Sequence, residues 1–75
     1  MEFRLTKHAR RRMRRRQVSE DEIRAVLSDP ETRQTGLDGN VNLLAQVSGR
    51  SLRIVLASDA ERPLVTTVIV RGGTR

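Results

Sequence analysis

The chain has 75 residues, fifteen Lys or Arg against nine Asp or Glu, a net charge of +6, one His and no Cys. That length allows one small domain, 1–75, with a marginal core built from Val, Leu and Ile, because there is one Phe and neither Tyr nor Trp. Without Cys there are no disulfides, thiolate nucleophiles or Cys-ligated zinc, and a single His leaves no transition-metal site and no cofactor to expect. No apolar run approaches the ~20 residues that cross a membrane, so a soluble, cytoplasmic protein is expected.

The first element is a short strand at Glu2 to Leu5, where Phe3 and Leu5 alternate onto one side, and Thr6 then offers an N-cap hydroxyl. A helix follows from Lys7 to Arg16. Its apolar stripe is only Ala9 and Met13, extended by the stems of Arg12 and Arg16, so most of its surface faces water or a ligand. Gln17 and Val18 break it. Ser19-Glu20-Asp21-Glu22 then reads as a capping box, its acids suiting the helix dipole. Ile23, Val26 and Leu27 supply the stripe of a second helix, which Asp29-Pro30 ends.

Glu31 to Asn40, polar and containing Gly36 and Gly39, reads as a loop. Beyond it, Val41–Val47, Leu52–Ala57 and Leu64–Arg71 read as three strands of an antiparallel meander, turning at Ser48-Gly49-Arg50 and at Asp59 to Pro63. Gly72 to Arg75 reads as a frayed tail. The expected fold class is α+β in the order β-α-α-β-β-β, two helices packed on a small antiparallel sheet.

Fourteen of the fifteen basic residues are Arg, and their placement says more than their number. Residues 4–16 hold eight Lys or Arg and no acid, while residues 19–31 hold five acids and only Arg24. Such a patch attracts polyanions, of which nucleic acid is the commonest in a cytoplasm. At about 100° per residue from Ala9, His8 falls near −100°, Arg12 near −60°, Arg15 near −120° and Arg11 near −160°. One helix face thus sets an imidazole among guanidiniums. A base in that position can take the proton of a ribose 2′-hydroxyl while the guanidiniums bind charge developing on the phosphate. The alternative is an imidazole that only packs or bonds a carbonyl.

In the sheet, the period of two puts Arg53 with Ser51 and Val55, and Arg71 with Thr67 and Ile69. Arg53, Arg71 and Thr67 on one face would make a second wall for a phosphate, or line a solvated face of a one-sided sheet.

Gly49-Arg50-Ser51-Leu52-Arg53-Ile54-Val55-Leu56 and the closing Thr67-Val68-Ile69-Val70-Arg71-Gly72, in this order of elements, resemble the RelE/ParE-type toxin superfamily. Its marks are a G-x-x-R-V-x-Y strand and a terminal V-x-x-V-x-R strand. Thr6-Lys7-His8-Ala9-Arg10-Arg11-Arg12-Met13, with Val18 to Ile23 and Asp29-Pro30, resembles more closely a small bacterial branch with His-Ala at the start of its first helix. The resemblance implies a metal-independent endoribonuclease or an RNA- or ribosome-binding domain. His8, Arg53 and Arg71 would be the catalytic set, the two arginines binding the scissile phosphate. Lys7, Arg11, Arg12, Arg15, Arg50 and Thr67 would contact RNA. Leu56 stands where the superfamily often has Tyr, and its C-terminal Tyr or His is missing, so no general acid is evident.

The competing expectation is a non-catalytic nucleic-acid-binding or protein-inhibiting module that docks through the arginine helix. An acidic antitoxin-like protein and a second copy of the chain are the other expected partners. A helix-turn-helix using the second helix would aim Glu20, Asp21 and Glu22 at phosphates. A membrane-surface helix lacks an apolar face.

Overall fold

The computed structural model describes residues 3–57 and 62–71. Its elements are β1 (Arg4–Leu5), α1 (Lys7–Arg16), α2 (Glu20–Ser28), β2 (Thr32–Thr35), β3 (Val41–Val47), β4 (Arg50–Leu56) and β5 (Leu64–Arg71). Both helices and strands β3 and β5 form over the expected residues. The last tight turn and the tail, expected at 59–63 and 72–75, lie largely or wholly outside the described residues.

Local chemistry explains the helix ends. The Thr6 side chain accepts from the Ala9 N–H at 3.1 Å and opens α1. Gln17 closes it in the left-handed region (φ 56°), and the Val18 N–H reaches back to the Met13 carbonyl at 2.8 Å, burying Val18 as the chain turns. At α2, Ser19 and Glu22 form the expected capping box, with bonds of 3.1 and 2.9 Å.

The sheet is five strands in the order β1-β5-β4-β3-β2. It corrects two expectations. It is mixed, because β1 pairs with β5 in parallel while all other neighbours are antiparallel. The segment read as a loop contains β2, which pairs with β3 from Thr32↔Leu44 to Thr35↔Val41. All four β2 residues are exposed, so this edge strand is held by backbone bonds and carries no apolar alternation to betray it. The turn that remains is closed by Gly36 and Asn40, with the Asp38 carboxylate accepting from the Asn40 N–H at 3.0 Å. Between β3 and β4 a two-residue turn has positive φ at both Ser48 (54°) and Gly49 (80°), the twist that matches a hairpin.

One face of the sheet and both helices share the core. Val41, Leu43 and Ala45 of β3, Leu52, Ile54 and Leu56 of β4, and Val65 and Val68 of β5 are buried against Ala9, Met13, Ile23, Val26 and Leu27. A bulge at Thr66 allows Val65 to join them. The register steps from Val55↔Thr67 to Leu56↔Val65, so Val65 turns inward instead of outward. The bulge also anchors α1, since Thr6 donates its N–H to the Val65 carbonyl and its hydroxyl to the Thr66 carbonyl.

Candidate nucleic-acid interface

Helix α1 packs on β5 and β1, at one edge of the sheet, and α2 packs on β3 and β4. Only Ala9 and Met13 of α1 are buried. Seven of its ten residues are Lys or Arg, and it carries no acid. Among the described residues the ion pairs join Arg24 to Glu20 and Asp21, and Arg50 to Glu22. Among those residues the cations of α1 have no acidic partner.

His8, Arg11, Arg12 and Arg15, at spacing i, i+3, i+4, i+7, line a shallow, solvent-open concavity of ≈ 270 Å³. His8, Arg11 and Arg15 are exposed and Arg12 is half-buried. The imidazole and guanidiniums that the helical period brings together are thus neighbours in the fold. Lys7 is exposed on the same helix. Arg10, Arg14 and Arg16 are exposed too and extend the cationic surface, although sequence reasoning had not singled them out. The signal was present in the run of residues 10–16, where every residue but Met13 is Arg.

Arg53, Arg71 and Thr67 also come together, as the period of two expects. Arg53 stands opposite Ile69, Ser51 opposite Arg71 and Val55 opposite Thr67, which places Thr67 and Arg71 diagonally on either side of Arg53, about 7–8 Å away. These residues alternate with buried Leu52, Ile54 and Val68, so they occupy the face turned away from the helices. Arg53 lies between half-buried Leu44 and Ile69, whose surfaces its stem can cover.

The set His8, Arg53 and Arg71 is therefore divided by the sheet. His8 sits at the α1 N-terminus, tied to the start of β5 by Thr6, whereas Arg71 ends β5 five residues beyond Thr66, about 16 Å along the strand. Alternation along a strand fixes which residues share a face but not which face a helix will cover.

Arg50, expected at the RNA surface, is committed within the protein. Its guanidinium donates to the Arg16 carbonyl at 2.8 Å, the Gln17 carbonyl at 3.1 Å and both Glu22 carboxylate oxygens at 3.3 and 3.2 Å. It ties the end of α1 and the start of α2 to β4. Glu22 is held below the usual carboxylate range, chiefly by the Ser19 N–H, with the Ser48 hydroxyl and Arg50 acting in the same sense and burial opposing them. A depressed carboxylate contributes stability above its unfolded value and loses it as the folded group is protonated. The melting temperature should thus fall as pH drops below about 4.5, and the fall should be smaller in Glu22→Gln, which is already less stable at pH 7. Equal acid sensitivity in the two proteins would assign the loss to other carboxylates.

Among the described residues no three His, Cys, Asp or Glu side chains gather, and no helix is long and apolar enough to cross a membrane. A family model described as a domain of unknown function, DUF4258, matches residues 5–70. No curated protein and no solved structure matches the chain.

Proposed function

The chain belongs to the DUF4258 family, and we propose that this member is a cytoplasmic RNA-binding domain that grips phosphates through α1. The observation that carries this reading is a ten-residue helix with only two buried side chains and seven Lys or Arg that pair with no carboxylate among the described residues. Such a surface binds polyanions by releasing counterions, so affinity should fall steeply with salt. Base stacking contributes little, because Phe3 packs against the core with the Arg24 guanidinium 5.4 Å from its ring centre. Phosphate contacts position a protein without reading sequence, and sequence preference should be poor.

A second reading, a RelE-like fold acting as a metal-independent endoribonuclease, is favoured by the place of His8 in the concavity beside Arg11, Arg12 and Arg15. In this reading the helix arginines hold the phosphate next to the imidazole, while Arg53 and Arg71 serve another surface. A ribosome, an acidic antitoxin-like protein and a second copy of the chain are the partners it brings with it.

One experiment separates the two. Labelled RNA is incubated with the protein in EDTA beside His8→Ala, and binding and product ends are followed together. Salt-sensitive binding without cleavage, nearly equal in both proteins, is the result expected of the binding domain. Products with 2′,3′-cyclic phosphate ends, lost in the variant, would instead make His8 a catalytic base. Absence of any RNA binding at low salt would remove both readings.

A further inference from the structure

Resting on the RNA-binding reading, we infer that the RNA engaged by α1 is base-paired, with phosphates of its two strands meeting opposite flanks of the helix. With Ala9 at zero, Met13 lies near +40°, so the buried stripe centres near +20° and the crest of the helix lies near −160°, at Arg11. Lys7, Arg14 and Arg10 then stand about 40°, 60° and 100° to one side of that crest. Arg15, His8 and Arg12 stand about 40°, 60° and 100° to the other. Cations therefore stand on both flanks of a ridge, Lys7, Arg10 and Arg14 on one and Arg12 and Arg15 on the other with His8 between them, while Arg16 lies lower on the second side.

The fold leaves both flanks open. Because α1 rests on β5 and the two-residue edge strand β1, while α2 rests on β3 and β4, neither flank is buried against the other helix. Lys7, Arg10, Arg14 and Arg15 are exposed and Arg12 is half-exposed. Among the described residues no carboxylate pairs with any of them.

A single strand offers one line of phosphates, which can follow the crest and one flank but leaves the other flank's cations in mutual repulsion. A duplex offers two lines. In A-form RNA the major groove is deep and narrow, so its two phosphate rails approach each other across the mouth. A helix about 10–12 Å across lying on that mouth puts one flank on each rail and touches no base edge. Ten residues span about 15 Å, so the footprint is a few phosphates per rail.

The test compares a structureless single-stranded RNA, the matching RNA duplex and the DNA duplex of the same sequence, by anisotropy over a range of KCl concentrations. Arg10→Gln/Arg14→Gln removes two charges from one flank and Arg12→Gln/Arg15→Gln two from the other, with circular dichroism to verify folding. The RNA duplex should bind at least about tenfold more tightly than the single strand. Each double variant should weaken duplex binding about tenfold and lower the slope of log affinity against log salt by about 2. Single-strand binding as tight as duplex binding, or duplex binding indifferent to either variant, would overturn the inference while leaving RNA binding intact. Tighter binding to the DNA duplex would overturn the assignment to A-form RNA. No binding to either RNA would overturn the underlying reading as well.

Discussion

Ile54→Ala should remove a large share of the protein's stability. Ile54 has no solvent exposure and sits on the central strand β4, with Leu43 opposite it on β3 and Val68 opposite it on β5. Truncating a buried Ile to Ala removes its transfer free energy and leaves a cavity, a cost of about 2–5 kcal/mol. A domain of this length has roughly 4–11 kcal/mol in total, so the substitution removes a third or more of its stability in the middle of those ranges. The melting temperature should fall by ten degrees or more, on the scale of about 4–8 °C per kcal/mol for small domains. Ile54→Val should cost only about 0.5–1.5 kcal/mol. Arg53→Ala, one residue away on the open face, should change stability by no more than about 0.5 kcal/mol. Urea melts of the three variants check this, and a loss for Arg53→Ala as great as for Ile54→Ala would contradict the assignment of faces.

The second large effect is expected at Arg50. Its side chain and that of Glu22 are only 27% and 15% exposed, so each partner is substantially withdrawn from water. Arg50→Ala removes the donor serving Glu22 and the carbonyls of Arg16 and Gln17, groups that end one helix and begin the next. Losing hydrogen bonds that involve charged groups, with carbonyls left to find water, should cost about 2–3 kcal/mol. Arg50→Lys should recover only part, because a compact ammonium cannot reach carboxylate and carbonyls in the fork a guanidinium offers. A thermodynamic cycle with Glu22→Gln should return a coupling of roughly 1 kcal/mol, below the deep-interior range because both groups keep some solvent. RNA affinity of the folded Arg50→Ala protein should be close to that of the parent. The reverse outcome, unchanged melting with weakened RNA binding, would move Arg50 from the frame of the protein to its interface.

How much of this was legible in the chain follows from how local each cause is. Thr6, and Ser19 with Glu22, cap helices through bonds spanning three residues, so hydroxyl, spacing and apolar stripe together declared both starts. The ends of α1 and α2 at Gln17 and Asp29 are equally local events. The alternation of Val41–Val47 showed β3 because one of its faces is buried. Strand β2 escaped because neither of its faces is. Its position is decided by β3, whose backbone groups would otherwise lack a partner along that edge.

The helices, four of the five strands, the cationic character of α1 and the gathering of His8 with Arg11, Arg12 and Arg15 were already legible in the chain. All of these rest on helical or strand period and on contacts a few residues apart. That β1 runs parallel to β5, that Arg50 braces the helix junction, and that His8 and the Arg53–Arg71 pair look out from opposite faces emerged only with the packed fold. Those outcomes depend on which face of the sheet buries its aliphatic residues under the helices and on partners 28 or more residues apart. Such pairings are chosen by burial of the whole core, and no short stretch of the chain encodes them.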